Sequence, residues 1–229
     1  MSKRFKIILA ILILAAAGYF GYQKMNRQNQ DRDIEAMKSS IVAEPKIAVS
    51  DITPQQKEKL LKQLKDAQNT LIGFNFDNLQ AVNDVARLKK ALGDIDGAIT
   101  AWEYANIIRP NNSLSFSNLA ALYHYDLKDY EKAERNYLIS IANDPDDINT
   151  VRNLFEMYYY AVKDNTKAEA LLLGSIENNP ESSDLFALTG SFYAETDRID
   201  KAIEYYEKAL ALSPNNQAIK KEIERLKKL

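Results

Sequence analysis

Four stretches of this sequence repeat a small, a large and a second small residue ahead of a proline. In each stretch a bulky side chain follows an alanine after four residues, a small one after seven and a proline after 12. The alanines are Ala98, Ala133, Ala168 and Ala202, and the prolines are Pro110, Pro145, Pro180 and Pro214. Positions i, i+4 and i+7 share one face of an α-helix, where small residues admit a neighbouring helix closely. Because proline ends such a helix, we expect a repeated helical unit.

The last unit matches a known repeat motif in detail. Its residues fit the spacing W-x₂-L-G-x₂-Y…A-x₃-F…P, with Phe for Trp, Thr for Leu and Tyr for Phe. The matching residues are Phe186, Thr189, Gly190, Tyr193, Ala202, Tyr206 and Pro214. Over Leu79–Pro214 the chain therefore resembles tetratricopeptide repeat (TPR) proteins. The resemblance implies an all-α fold, a TPR-like right-handed α-solenoid of helical hairpins.

The predicted domain organisation has three parts. They are an N-terminal transmembrane anchor or signal peptide (1–24), a flexible linker with room for one short helix (25–52) and a TPR-like helical domain (53–229). The last part divides into an N-terminal capping helix (53–73), four repeats (79–110, 113–145, 147–180 and 182–214) and a C-terminal capping helix (215–229). Thr53, Pro54 and Gln56 are typical of a capping box at a helix start. Asp94, Asp129 and Asp197 precede second helices and are predicted to be their N-caps.

Two repeats depart from the motif in length, and one departs in sequence. The second and third repeats each hold one extra residue ahead of the second helix, which we place in the interhelical turn or in the last turn of the first helix. In the first repeat, Lys89 stands where the motif usually has tyrosine. The C-terminal helix is predicted to be amphipathic, with Ile219, Ile223 and Leu226 among its apolar residues.

The N-terminal residues suggest a membrane segment. Lys3, Arg4 and Lys6 precede an uncharged run at 7–22, which as a helix would span about 24 Å. A cleavable signal peptide ending near Ala15–Ala17 is the alternative, but the apolar residues continue past these alanines. We expect a single-pass anchor with a cytoplasmic N-terminus and an extracytoplasmic TPR domain. Cleavage would instead give a secreted protein.

The charge distribution argues against nucleic acid as a partner. Residues 1–30 carry five basic residues and no acid, whereas the whole chain has a net charge of −2. Residues 31–229 therefore sum to −7, and an acidic body is poorly suited to binding phosphate backbones. The chain has no cysteine, which excludes disulfides and thiolate metal sites.

Few residues point to chemistry. His124 is the only histidine and has no second histidine or thiolate to form a metal site with. Asp94-Ile95-Asp96-Gly97 has the start of a calcium loop but lacks its later acidic ligands, so it is interpreted as the turn into a second helix. Trp102 lies on the buried stripe. The sequence predicts no enzyme activity, no cofactor and no metal site.

The family resemblance implies a groove lined by the first helices, where a peptide or a partner helix binds. The family's groove positions correspond here to Asn83, Arg87, Asn118, His124, Tyr125, Asn149, Arg152, Asn153, Glu156 and Tyr159. Some relatives bind a C-terminal carboxylate through a lysine-containing clamp. Asn118 fits one clamp position, but the lysines are missing, so an acidic tail is not the expected ligand. In the run Tyr158–Tyr160, at least one ring is expected in the core.

Two functions fit these observations. The first is a membrane-anchored, non-catalytic protein–protein interaction scaffold that binds a peptide or a partner helix in a TPR groove. The alternative is a structural or assembly factor that acts by self-association or by assembling a multi-protein complex in the cell envelope. In both cases the partner is a protein, contact with the membrane is through residues 7–22, and nucleic acid is excluded.

Overall fold

The structure, a computed structural model, describes residues 28–50 and 52–229. In these residues all regular secondary structure is helical, as the sequence predicts. Helix α1 covers residues 28–42. The other α-helices are α2 (Pro54–Gly73), α3 (Leu79–Ala91), α4 (Ile95–Ile108), α5 (Leu114–Ala121), α6 (Tyr130–Asn143), α7 (Ile148–Glu156), α8 (Asn165–Asn178), α9 (Ser183–Glu195), α10 (Ile199–Leu212) and α11 (Gln217–Leu226). Contacts divide the chain into unit 1, up to Ile108, and unit 2, from Arg109 to Leu229.

The repeated alanines occupy equivalent sites in the four second helices. Helices α4, α6, α8 and α10 are each 14 residues long, and the repeat alanine is the fourth residue of each. All four alanines are fully buried, and the bulky residue one turn later is at most 8% exposed. The repeat proline comes two residues after the end of each helix. The predicted register of the hairpins is therefore confirmed.

In unit 1, the described part of the predicted linker is ordered rather than flexible. Residues 28–42 are helical, and Ile41 is fully buried. The side-chain amide of Gln68 donates hydrogen bonds to the carbonyls of Ile41 and Ala43, at 3.1 and 3.3 Å. The backbone N–H of Ala48 donates to the carbonyl of Leu92 at 3.1 Å. These bonds reach residues 25 or more positions away, so the polar local composition that suggested a linker gives no sign of them.

The lysine at the motif's tyrosine position is buried in unit 1. Lys89 is 1% exposed, and its Nζ lies 2.9 Å from Oδ2 of Asp94. The same ammonium donates to the carbonyl of Ala43 at 3.1 Å. The other carboxylate oxygen of Asp94 accepts the N–H of Gly97 at 3.2 Å. A buried charge is tolerated only when paired and hydrogen-bonded, and segment 43–50 helps to supply these bonds.

Two of the three predicted aspartate N-caps are correct. Asp94 accepts from Gly97, and Asp129 accepts the N–H of Lys132 at 3.1 Å at the start of α6. Asp197 is not an N-cap, because it takes a positive φ of 57° and the cap position of α10 falls to Arg198. The capping box at α2 is confirmed in both directions, between Thr53 and Gln56. Helix α2 does not open the helical array, since α1 precedes it.

In unit 2, the extra residue of the second and third repeats lies in the last turn of the first helix. Helix α5 continues into a π-helical turn, Leu122–Leu127, and α7 continues into a second one, Met157–Val162. A π turn bonds residue i to i+5 and so absorbs one inserted residue without changing the register of the second helix. Each turn ends at a lysine of positive φ, Lys128 or Lys163. Helix α9, which has no insertion, ends at Glu195 without such a turn.

The C-terminal helix is amphipathic as predicted. Ile219, Ile223 and Leu226 of α11 are buried in unit 2, whereas Leu229 is 80% exposed beyond the helix end. Between residue 28 and the C-terminus, Asp51 apart, no helix is both long enough and apolar enough to cross a membrane. The predicted anchor at 7–22 lies outside the described residues.

Candidate functional site: the first-helix face

The two predicted groove residues of unit 1 differ in accessibility. Asn83 is 6% exposed and donates from its amide to the carbonyl of Leu79 at 3.0 Å. It is therefore a core residue, and its burial argues against a contact with a partner. Arg87 is exposed and lies 3.3 Å from a carboxylate oxygen of Asp84, one turn earlier on α3.

In unit 2, three predicted residues from two hairpins come together. The hydroxyl of Tyr125, in the first π turn, lies 3.3 Å from Oε2 of Glu156 and 3.5 Å from Oδ1 of Asn153, both on α7. Tyr125 is nevertheless 45% exposed. Burial and the neighbouring Glu156 raise the pKa of Tyr125, so its hydroxyl stays protonated and acts as the donor. The ring is thus held by a directed hydrogen bond while much of it faces solvent.

The second π turn repeats this arrangement against the next first helix. Tyr160 stands 35 residues after Tyr125 and is 58% exposed. Its hydroxyl donates to Oε2 of Glu195 on α9 at 3.1 Å. Burial first, and then the carboxylates of Glu195 and Glu156, raise the pKa of Tyr160. The charges of both glutamates therefore act on the hydroxyl of Tyr160.

The neighbouring Tyr159 completes an aromatic surface. Its ring lies parallel to Phe155 at 5.6 Å and edge-on to Tyr160 at 4.7 Å, measured between ring centroids. Phe192 of α9 meets it perpendicularly at 5.5 Å. We name the set Tyr125, Asn153, Glu156, Tyr159, Tyr160 and Glu195 the tyrosine–glutamate patch.

His124 supports the patch from behind rather than facing a ligand. It is 5% exposed, its ring stacks on Tyr125 at 3.9 Å, and its Nδ1 lies 3.4 Å from the hydroxyl of Tyr137. Burial, helped by the charge of Lys128, lowers the pKa of His124, so the imidazole is neutral at neutral pH. Its position favours a role in orienting the Tyr125 ring.

The remaining predicted residues lie on the same first helices without joining the patch through a hydrogen bond. Asn118 on α5 is half-buried, and so is Arg152 on α7. Asn149 is exposed in the first turn of α7, where its N–H donates to the Asp147 cap at 3.1 Å. Arg152 precedes Glu156 by one helical turn but does not come within ion-pair distance of it.

Sequence reasoning missed two members of the patch. Tyr160 carries a signal that could have identified it, because it follows Tyr125 at the 35-residue repeat distance. Tyr158, in the same run, is buried, as expected of at least one of the three tyrosines. Glu195 has no comparable signal, since its role depends on which hydroxyl lies opposite it. Among the residues that the structure describes, no three His, Cys, Asp or Glu side chains converge on a common point that could hold a metal ion.

Comparison with known proteins identifies one of these hairpins. Residues 184–216, in α9, α10 and the following turn, match the family described as tetratricopeptide repeat. This hairpin is therefore similar to a TPR. Its Gly190 explains the glycine of the motif, because a Cβ there would come within 2.9 Å of the Tyr206 ring.

Solved structures extend the likeness beyond this hairpin. A crystal structure of MamA is 17% identical and covers 73% of this chain and 97% of its own, with a TM-score of 0.52. The MamA RS-1 ArsTM double mutant is 16% identical, with coverages of 72% and 90% and a TM-score of 0.51. YrrB, described as a TPR protein with an unusual peptide-binding site, is 18% identical over 76% and 87%, with a TM-score of 0.49. The two MamA structures, whose TM-scores exceed 0.5, show that the chain has an all-α, TPR-like fold. No curated protein sequence matches it.

Proposed function

We propose that this chain is a non-catalytic scaffold that binds a protein partner, as a peptide or a helix, on the tyrosine–glutamate patch of unit 2. The observation that carries the proposal is that Tyr125 and Tyr160 are 45% and 58% exposed although each hydroxyl is fixed by a glutamate. Tyrosines that are already ordered lose little side-chain entropy when a partner covers them, and tyrosine is enriched among residues that dominate binding energy.

Two further features support binding without chemistry. The only histidine is neutral, buried and engaged with two tyrosines, so it is not placed to exchange protons with a substrate. The tyrosines keep their protons because burial and nearby carboxylates raise their pKa values. Both features suit a surface that offers hydrogen bonds and apolar area to a polypeptide.

Crosslinking in intact cells tests the proposal. A photo-crosslinking amino acid at position 125 or 160 of the full chain should capture a discrete protein partner, and the double variant Tyr125→Ala, Tyr160→Ala should reduce its recovery at least about tenfold. The matched control is Leu138→Ala with Ile139→Ala, which removes two apolar side chains of similar exposure, 47% and 42%, from α6.

The two variants separate a local effect from a general one. Both should keep the helical circular dichroism of the parent, because all four side chains are exposed. Equal capture by the tyrosine variant and the parent would refute the proposal. An equal loss of partner recovery in both variants would show that the interface does not lie on the patch.

We also propose that residues 7–22 tether the scaffold to a membrane, with the helical domain outside the cytoplasm. The uncharged run between Lys6 and Lys24 and the basic residues before it support this arrangement. A C-terminal reporter enzyme that is active only outside the cytoplasm should be active on the full chain and should sediment with membranes. An active reporter in the soluble fraction would indicate cleavage instead, and an inactive reporter would contradict export.

A further inference from the structure

Unit 2 contains a recurring three-part interaction that joins a tyrosine of one hairpin to a glutamate on the second helix of the preceding hairpin. The hydroxyl of Tyr158 donates to Oε1 of Glu134 at 2.7 Å, and the Nζ of Lys167 lies 2.6 Å from the same oxygen. This lysine also stands over the Tyr158 ring, 5.3 Å from its centroid. Tyrosine, carboxylate and cation thus satisfy one another through a hydrogen bond, an ion pair and a cation–π contact.

The next hairpin builds the same set from different residues. The hydroxyl of Tyr193 donates to Oε1 of Glu169 at 2.8 Å, and the guanidinium of Arg198 lies 2.6 Å from Oε2 of that glutamate. Arg198 covers the Tyr193 ring at 4.4 Å, and Lys201 covers it at 4.9 Å. In both hairpins the glutamate next to a tyrosine hydroxyl has a cation of the same chain beside it.

The tyrosine–glutamate patch repeats the tyrosine and the glutamate of this interaction but lacks the cation. Tyr125 donates to Glu156, and Tyr160 donates to Glu195. Within the described residues, no lysine or arginine lies within 4.0 Å of either carboxylate, and none stands over either ring. Glu195 also accepts a hydrogen bond from the hydroxyl of Ser191, at 3.1 Å, which adds no positive charge. Two tyrosine–glutamate pairs are therefore arranged for a cation, and no side chain of the described residues provides one.

We infer that the tyrosine–glutamate patch binds two lysine or arginine side chains of a partner polypeptide, each of which pairs with one glutamate and covers the adjacent tyrosine ring. The inference rests on the proposed function and specifies the chemistry of the partner. It requires a basic segment, because the patch presents carboxylates and π faces but no cation of its own.

The charge of the unit is complementary to such a partner. Residues 109–229 contain 15 lysines and arginines against 20 aspartates and glutamates, a net charge of −5. A basic segment is therefore attracted to unit 2 before it reaches the patch. Arg152 lies one turn before Glu156 and competes for that carboxylate if it changes rotamer, so its removal is expected to strengthen binding of a cation.

Fluorescence anisotropy with the full chain tests the inference directly. The probes are a fluorescein-labelled peptide of about 12 residues in which lysine alternates with serine, and a second peptide with glutamine in place of lysine. The lysine peptide should bind at least about tenfold more tightly than the glutamine peptide at low salt. The double variant Glu156→Gln, Glu195→Gln should abolish most of this preference, because glutamine still accepts the tyrosine hydrogen bonds but carries no charge.

A charge-matched variant separates the patch from the general field of the protein. Glu131→Gln with Glu204→Gln also removes two exposed carboxylates of unit 2, which pair with Arg135 and Lys208 on outer positions of α6 and α10. This variant should change the affinity for the lysine peptide less than about twofold. Tyr125→Phe with Tyr160→Phe should retain more affinity than the double alanine variant, since phenylalanine keeps the π face.

Several results would overturn the inference. Equal affinity for the two peptides, or equal weakening by the patch and control variants, would mean that the patch does not recognise cations. If the parent does not bind the lysine peptide but a variant with Lys3, Arg4, Lys6, Lys24 and Arg27 replaced by glutamine does, the chain's own N-terminus occupies the patch. That would exclude a separate partner there.

The two proposals fail in distinguishable ways. Loss of peptide preference with continued crosslinking at positions 125 and 160 would leave the patch as an interface for a partner of other chemistry. Failure of crosslinking together with failure of peptide binding would remove both.

Discussion

The motif position that usually holds tyrosine is occupied differently in the two units. In unit 1 the position holds Lys89, which is buried and paired with Asp94 under the carbonyl of Ala43. In unit 2 the corresponding Tyr158 and Tyr193 are also buried, but each hydroxyl reaches a glutamate on the second helix of the preceding hairpin. The lysine takes its ion-pair partner from its own hairpin, whereas the two tyrosine hydroxyls donate hydrogen bonds to the preceding hairpin.

This difference shows what the position requires. The motif position needs a long side chain whose buried polar end has a hydrogen-bond or ion-pair partner. Either a lysine in an ion pair or a tyrosine with a hydrogen bond meets this need. Unit 1 meets the demand with a buried charge and depends on segment 43–50 to complete it. Unit 2 meets it with a neutral phenol, and a lysine or an arginine of the same chain covers the ring of Tyr158 or Tyr193.

The largest expected effect comes from breaking the buried pair of unit 1. Lys89→Met leaves the Asp94 carboxylate buried without its cation, and we expect the free energy of unfolding to fall by about 3–5 kcal/mol. Urea denaturation followed by circular dichroism would measure the loss in the full chain.

The matched variants define what that result means. Lys89→Met combined with Asp94→Asn should recover most of the stability, because the buried charge is gone and asparagine still caps α4. In unit 2, Lys132→Met removes the half-exposed pair with Asp129 and should cost much less stability, because solvent screens that pair. A Lys89→Met loss no larger than the Lys132→Met loss would show that the buried pair is not important for stability.

The next effect tests how tightly the pair is enclosed. A Cβ at Gly97 would clash with the Asp94 carboxylate and come within 2.9 Å of Cδ of Lys89. Both groups are fixed by their ion pair, so Gly97→Ala should destabilise unit 1 by about 1–3 kcal/mol. Combining it with Lys89→Met should cost less than the sum of the two single losses, since the shortened contact is then relieved. Strict additivity in a double-mutant cycle would contradict this explanation.

A smaller, pH-dependent effect is expected in unit 2. The hydrogen bond from Arg198, with that from Tyr193, lowers the pKa of Glu169. A depressed pKa contributes stability above the unfolded value of about 4.3 and loses it as the pH falls through the folded value. The parent should therefore lose about 1 kcal/mol more than Glu169→Gln between about pH 6 and pH 3. Denaturation series at both pH values would test this, and parallel losses in the two proteins would contradict it.

The smallest expected change is a gain in stability. Gly174 lies inside α8, and a Cβ there meets nothing within 4 Å. Gly174→Ala should therefore stabilise the helix by about 0.5–1 kcal/mol, because alanine has the lower conformational entropy in the unfolded chain. Comparing the stability changes of Gly174→Ala and Gly97→Ala separates the steric clash at Gly97 from the general effect of adding a methyl group. A loss of stability here would point to a contact that the structure does not show.

Local spacing is sufficient to predict much of the helical repeat in both units. The alanine and proline positions place all four second helices, since a helix face repeats every three to four residues whatever surrounds it. The spacing also locates the inserted residue near the end of the first helix, although it does not predict the π-helical form. Asp197 is wrong as an N-cap because the turn before α10 takes a left-handed residue at that position.

The sequence by itself therefore determined the helices from α2 onward, their register and the buried stripe, because these follow from periodicity within single segments. The tertiary structure alone decided that residues 28–50 pack against later helices of unit 1, that Lys89 pairs with Asp94 and Ala43, and that Tyr160 bonds to Glu195. The last two involve partners 46 and 35 residues apart, from Lys89 to Ala43 and from Tyr160 to Glu195. Such pairings depend on which side chains face each other after the helices have packed, and no local pattern encodes that distance.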